Sequence, residues 1–320
     1  MIKGFDAEFR DLDHYIRVIT DRIWEGGRVD DIRVYYSDPC IVDTPATVST
    51  SVEDVVNGTR ATLAMFPDRR LLAEDILISG DEDAGFLSSH RIISTMTHRG
   101  DGAFGKASGS RVHARTIADC VCKDNRVVHE WLVRDQGAIA QQIGMTPRDL
   151  AQSWLNQRGG WNKPVAGPPP VGYRSHISKD KIAQAYAQAL ESFAQGGQDS
   201  AIYDEAVHHI GPCETTRYGR VEVQRFWSTL FGSLQVEVFK VEHLALNHGG
   251  GRADRAALRW RATATHRNHA TADGQYGPAS GRKVEILGIN HVEIVDGRVL
   301  REWVLIDDVA IWMQVLTLNA

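Results

Sequence analysis

GKASGSRVHARTIADCVCKDNRVVHEWLVRD (residues 105–135) and GPASGRKVEILGINHVEIVDGRVLREWVLID (residues 277–307) are two versions of one pattern, aligned without a gap at an offset of 172. Gly105, Ala107, Ser108, Gly109, Val112, Ile117, Arg126, Val127, Glu130, Trp131 and Asp135 find identical partners in the later stretch. Upstream the match continues at an offset of 168, where Arg91, Thr97 and His98 face Arg259, Thr265 and His266. This period is too long for a solenoid repeat and has the size of a small domain. The chain therefore reads as two fused copies of one domain.

Working outward, 320 residues suit two domains of about 150 residues each. The net charge of −5 and the lack of a basic stripe argue against a nucleic-acid partner. The N-terminus, MIKGFDAEFRDLDHYIRVI, lacks the basic start and apolar run of a secretory signal. No stretch reaches the length of a membrane span. Cys40, Cys120, Cys122 and Cys213 form no C-x-x-C pair and read as buried, reduced thiols. These features lead us to expect a cytoplasmic protein with no membrane partner.

Residues 6–26 carry Phe9, Leu12, Ile16, Ile19 and Ile23 at helical spacing and end at Gly26-Gly27. Ser51 with Asp54 caps a second helix over about 52–66. From Leu71 the period changes to two, predicting strands near 72–79, 85–97, 110–123 and 126–135. Lys123-Asp124-Asn125 supplies a hairpin turn. The second copy repeats the order, with helices at 181–195 and about 220–231. Its strands fall near 234–246, 255–267, 282–295 and 298–307, with Asp296-Gly297 at the hairpin. The expected domains are 1–150 and 178–320, joined by a Pro/Gly-rich linker, 151–177, whose Pro168-Pro169-Pro170 favours an extended path. Trp154, Trp161 and Tyr173 suggest that this linker lies against a domain surface. The fold class is α+β: two tandem cone-shaped domains, each a curved antiparallel sheet packed with helices around a cavity.

Four local features now carry a family resemblance. They are the strand ending in Thr-His (Thr97-His98, Thr265-His266), the Ala-Ser-Gly turn (107–109, 279–281), the Asp-x-Arg hairpin (Asp124 to Arg126, Asp296 to Arg298) and Glu-Trp-x-x-x-Asp (Glu130 to Asp135, Glu302 to Asp307). Each half resembles the nuclear transport factor 2-like superfold, and within it the SnoaL-like polyketide cyclase or ester cyclase group. The first copy also shares the group's hydrophobic end with glutamine, Gln141-Gln142-Ile143-Gly144; the second departs from it. The resemblance implies a cofactor-independent acid/base enzyme whose aspartate at the Trp-x-x-x-Asp position drives an intramolecular aldol closure. Carried over, that role falls on Asp135 and Asp307.

On an extended strand Trp131, Val133 and Asp135 share one face, as do Trp303, Leu305 and Asp307. A carboxyl set in an apolar wall has a raised pKa, which suits a general base. The structural alternative is a cap on the helix that follows. Arg91 and Arg259 read as anchors for a carboxylate or enolate oxygen, or as salt-bridge partners of Glu130 and Glu302. His98 and His266 read as groups that polarise a carbonyl, or as solvated strand ends. Trp131 and Trp303 complete the expected substrate-binding set. Asp119 in one copy faces His291 in the other, and either serves as a second acid/base. This divergence implies that the two cavities do not do identical work. No Cys/His quartet or H-E-x-x-H is present, and the His266/His269 and His208-His209 pairs are poorly placed for a metal.

The expected function is cyclisation, isomerisation or dehydration of a small hydrophobic molecule bearing a carbonyl or carboxylate, with no cofactor. Two rivals remain open: an epoxide- or lactone-type hydrolase on the same fold, and a non-catalytic binding module. A fused duplication would place a pseudo-dimer within one chain, with further homo-oligomerisation left open.

Overall fold

The computed structural model describes residues 2–83, 85–169, 172–267 and 274–317. Pro170 of the proline run and His269 lie outside them. The chain forms two compact units, Met1–Thr146 with Asn162–Ser175, and Pro147–Trp161 with His176–Ala320.

In the first unit the strands are β1 (Tyr36–Asp43), β2 (Val48–Ser49), β3 (Arg70–Asp81), β4 (Gly85–Thr97), β5 (Arg111–Lys123) and β6 (Arg126–Arg134). They form one sheet in the order β2-β1-β6-β5-β4-β3. All neighbours run antiparallel except β1 and β6, which run parallel. Asp124 and Asn125 both take positive φ, so the β5–β6 hairpin closes on a turn whose twist matches the strands.

Helix α1 (Leu12–Thr20) starts later than its apolar spacing predicts. Asp11 caps it by accepting the His14 N–H at 2.7 Å, while Phe5 and Phe9 are buried ahead of it in non-helical chain. A π-helical turn, Asp21–Glu25, extends it. A short helix α2 (Ile32–Tyr35) leads into β1. Helix α3 (Val52–Met65) begins at the expected capping box of Ser51 and Asp54. These helices bury Tyr15, Ile16, Ile19 and Val56 against Ala118, Cys120 and Cys122 of β5. The even-numbered side chains of β5 therefore face the helices, and the odd-numbered ones face the other side of the sheet.

The second unit repeats this plan. Its strands are β7 (Tyr203–Ile210), β8 (Thr216–Tyr218), β9 (Leu234–Asn247), β10 (Asp254–His266), β11 (Lys283–Val295) and β12 (Arg298–Leu305), in the order β8-β7-β12-β11-β10-β9. Helices α6 (Lys181–Ala194) and α7 (Arg220–Gly232) cover the face that carries Leu258, Trp260, Val292 and Ile294.

Both copies contain two strands that the sequence pattern did not reveal. Pro39 sits inside β1, and such a residue argues against a strand. The β1–β6 ladder accommodates it with a register shift between Tyr36 and Ile41. The expected extended linker also differs. Residues Pro147–Arg158 form a helix, α5, with Leu150, Ala151, Trp154 and Leu155 buried at helical spacing within the second unit. Residues 162–175 belong to the first unit, where Lys163 pairs with Asp43 at 2.9 Å and Tyr173 lies against Trp131. One further helix directly follows the last strand of each copy, α4 (Gln136–Gln142) in the first and α8 (Asp308–Leu316) in the second.

The interiors of the two units differ at matched positions. Ile92 and Thr116, paired across β4 and β5, correspond to Trp260 and Gly288, paired across β10 and β11. The Trp260 ring lies so close over Gly288 that a Cβ there would stand 2.2 Å from it. Gly288→Thr should therefore destabilise the second unit by about 2 kcal/mol or more. The same change should cost less in a Trp260→Ile background, because the first unit holds that Ile–Thr pair. A chemical-denaturation double-mutant cycle reads the coupling, and additive costs would refute it.

Candidate active site

A cavity of about 250 Å³ lies between the helices and the sheet of the first unit. Its sheet wall is made by His90 and Ile92 of β4, Thr116, Ala118 and Cys120 of β5, and Glu130, Leu132 and Arg134 of β6. These are even-numbered, because strand alternation places them on the helix-covered face; Val127, past the register shift in the β5–β6 ladder, joins them, and Leu71 of β3 and Tyr36 and Val42 of β1 also line the cavity. Ile16, Ile19 and Thr20 of α1 and Thr59 and Thr62 of α3 close the opposite side. Arg69, just before β3, enters the same space.

Glu130 is the buried carboxyl of this cavity. One of its oxygens accepts a 3.3 Å hydrogen bond from the Tyr36 hydroxyl. Burial raises its pKa to about 7, against smaller lowering influences from Tyr36 and the Arg134 charge. His90 is 3 % exposed, and its Nε2 has no hydrogen-bond partner among the described residues. Burial lowers its pKa to about 3, so it is neutral at physiological pH. Arg69 is held by burial, and secondarily by the Arg134 charge, at a pKa of about 9.

In the second unit the corresponding space is filled. Trp260 packs against Phe239, Phe231 and Trp227 with ring centroids 5.1, 6.1 and 6.2 Å apart. Glu302, the counterpart of Glu130, is fully buried and accepts from the Tyr186 and Tyr203 hydroxyls at 2.6 and 3.0 Å. Asn290 donates to the Tyr186 hydroxyl at 2.8 Å and accepts from the Trp260 indole N–H at 3.0 Å. This carboxyl is thus wired into a packed core. Burial raises its pKa to about 7.

The residues singled out from sequence occupy other places. Asp135 accepts the Ala138 N–H at 2.9 Å as the cap of α4, and Asp307 accepts the Val309 and Ala310 N–H groups as the cap of α8. Asp119, Trp131 and Arg91 lie on the face of the first sheet opposite the cavity, as do His291, Trp303 and Arg259 in the second. All six are buried. Trp131 lies against His129 at 4.2 Å and Trp303 pairs with His291 across the ladder. Arg91 and Arg115 share Glu74 at 3.1 and 2.8 Å, and Arg259 and Arg261 share Glu242 at 3.4 and 3.0 Å. Their acidic partners are therefore residues of β3 and β9, and not Glu130 or Glu302.

His98 and His266 hold a loop. The Ser108 N–H donates to His98 Nδ1 at 3.3 Å and the Ser108 hydroxyl lies 3.2 Å from it; Ser280 repeats both contacts on His266 at 3.2 and 2.9 Å. Gly109 and Gly281 take φ of +73° and +69° there, which favours glycine. The Thr-His and Ala-Ser-Gly motifs are two halves of this clasp. The structure thus brings together a set that sequence reading missed: Glu130, His90, Arg134, Arg69 and Tyr36. The signal lay in the retained Glu130/Glu302 and in the spacing Glu130-Leu132-Arg134, which places two ionisable groups on one strand face.

Among the described residues, no group of three or more His, Cys, Asp or Glu is arranged to hold a metal ion, and no helix is long and apolar enough to cross a membrane. Among the described residues, Cys40, Cys120, Cys122 and Cys213 form no disulfide.

The family model for SnoaL-like polyketide cyclase matches residues 15–143 and again 180–315. The chain belongs to the SnoaL-like polyketide cyclase family. Its two matches are the two units, so this member is a tandem form with two copies of the cone fold. Similar solved structures include IdmH from Streptomyces antibioticus (19 % identity, 42 % of this chain and 98 % of that one, TM-score 0.37). A SnoaL-like polyketide cyclase from Agrobacterium tumefaciens is 18 % identical over 42 % of this chain and 99 % of its own, with TM-score 0.35. TsrD from Streptomyces laurentii is 16 % identical over 42 % and 94 %, with TM-score 0.37. No curated protein matches the chain.

The buried Glu302 links protonation to stability. Its folded pKa lies above its ordinary 4.5, so its favourable contribution is complete below about pH 4.5 and is lost as pH rises through about 7. His90 and His209, both held at about 3, act in the opposite direction over part of this window. The informative quantity is therefore the difference between wild type and Glu302→Gln. We expect the variant to gain about 2–3 kcal/mol relative to wild type between pH 4.5 and pH 8, read by urea denaturation across pH. A difference that does not change with pH would refute the assignment.

Proposed function

We propose that the first unit of this SnoaL-like cyclase is the catalytic one, and that Glu130 is its acid/base. The carrying observation is a buried carboxyl, with a pKa near neutrality, that lines a cavity. The second unit's matching carboxyl is sealed beneath Trp260, which leaves that unit a structural role.

In the proposed cycle, ionised Glu130 removes a proton from the carbon beside a ketone or ester carbonyl. The electron pair moves to the carbonyl oxygen, giving an enolate. The enolate carbon attacks a second carbonyl of the same molecule and closes a ring. Glu130 then returns the proton to the new alkoxide. Tyr36 keeps the carboxyl oriented through its 3.3 Å hydrogen bond. The sequence is redox-neutral, so it requires no electron-transferring cofactor. Aliphatic and aromatic walls from Ile16, Ile19, Trp24 and Leu132 suit a ring body. The volume is slightly below the roughly 300–1,000 Å³ typical of pockets for drug-sized ligands, which suits a one- or two-ring substrate.

Deuterium exchange beside the carbonyl of aromatic β-keto esters, followed by proton NMR, tests this reading without knowledge of the natural substrate. The wild-type rate should rise with pH through about 7, as Glu130 ionises. Glu130→Gln, with unchanged circular dichroism, should slow exchange by about 10²–10⁴-fold. Equal rates in variant and wild type would remove Glu130 from the mechanism.

A further inference from the structure

We propose that the Arg69–Arg134 end of the first unit's cavity is a carboxylate anchor, so that the ligand is a small ring compound bearing a free carboxylate. The proposal rests on reading this cavity as the active site and adds the class of molecule that fills it.

Arg69 lines the cavity and is 9 % exposed. Its hydrogen bonds go to a neutral group, the Ser94 hydroxyl, at 3.3 and 3.4 Å. Glu25, whose charge acts on it, is engaged by Arg70 at 3.0 Å and by the Leu71 N–H. Arg134 reaches the same cavity from β6, and its charge makes Arg69 less basic. Arg134 is half-buried and its charge also acts on Glu130, whereas Arg69 is buried with only a neutral hydroxyl on its guanidinium, an arrangement that is costly unless an anion joins it. A planar carboxylate suits their donors, which bind it in paired hydrogen bonds.

The duplication supplies an internal control. At the matched positions the second unit has Ile306 for Arg134, Ala262 for Ser94 and Leu258 for His90, all buried. Glu302 and Tyr203 still match Glu130 and Tyr36. Where that space is filled, Arg134, Ser94 and His90 have apolar counterparts while the fold persists. Arg134, Ser94 and His90 are therefore not required to build this fold, which fits a role toward an occupant of the cavity. Glu130 and Arg134 stand four residues apart on one strand face, about 13 Å between Cα atoms. A two-ring acid spans that distance with its carboxylate at the arginines and its opposite end beside Glu130.

The test compares binding of 1-naphthoate and its uncharged isostere 1-naphthamide to the full chain by isothermal titration calorimetry. The acid should bind at least about tenfold more tightly. Arg134→Ile, the residue that the second unit carries there, should abolish that preference with melting temperature and circular dichroism retained. Arg69→Gln should weaken it in the same direction. Equal affinity for acid and amide, no saturable binding of the acid, or a preference that survives both substitutions overturns the anchor. The two readings fail separately. Loss of the anchor result with Glu130-dependent exchange intact removes only the carboxylate. Arginine-dependent acid binding with exchange indifferent to Glu130→Gln supports the anchor and removes only the proton transfer.

Discussion

The space between helices and sheet must be either packed to interior density or lined by groups that tolerate water or a ligand. The two units take opposite solutions on the same strands. Trp260 lies over Gly288 and beside Asn290 in one, while Ile92, Thr116 and Ala118 stand at those places in the other. A large ring with a glycine beneath it fills the volume; a small aliphatic chain with a β-branched neighbour leaves it open. The open or closed state of each cup, and hence any chemistry inside it, follows from this difference in side-chain size.

A buried carboxyl is retained under both solutions, and its neighbours decide what it does. Glu302 has two tyrosine hydroxyls on one oxygen, one of them tied through Asn290 to Trp260. Glu130 has one tyrosine hydroxyl and a cavity. Burial raises both pKa values to the same range, because desolvation is the largest influence on each. Identical acidity thus coexists with different access. A group that can exchange a proton with a ligand differs from one that cannot through the packing around it.

The residues most visible in the repeat serve the fold. Asp135 and Asp307 cap helices, His98 and His266 hold a loop through Ser108 and Ser280, and Arg91 and Arg259 tie neighbouring strands through Glu74 and Glu242. Such contacts are needed wherever this architecture is built, so both copies keep them. Several groups that line the first unit's cavity have different counterparts in the second, where the Trp260 ring lies over Gly288 in the matching place. The carboxyl and its tyrosine, Glu130 with Tyr36 and Glu302 with Tyr203, are common to both halves, and what differs is the packing around them.

The duplication, the helix-then-sheet order, the Ser51 cap and the hairpin turns were legible from residue types, because period, capping and turn chemistry are local. The strands β1 and β7 were not, since Pro39 interrupts the first and polar residues crowd the second, and the parallel partner of each lies far along the chain. Nor was the inner face of β6. Trp131 and Val133 on one side and Glu130 and Leu132 on the other are all largely shielded, so alternation gives no contrast between the two sides. The sequence alone determined the family, two copies of one α+β plan and the pairs of residues that both copies keep. Only the tertiary structure decided which side of each sheet the helices cover, and therefore that Glu130 and not Asp135 meets the cavity, because that choice is made by helix packing across the sheet and not by any residue's immediate neighbours.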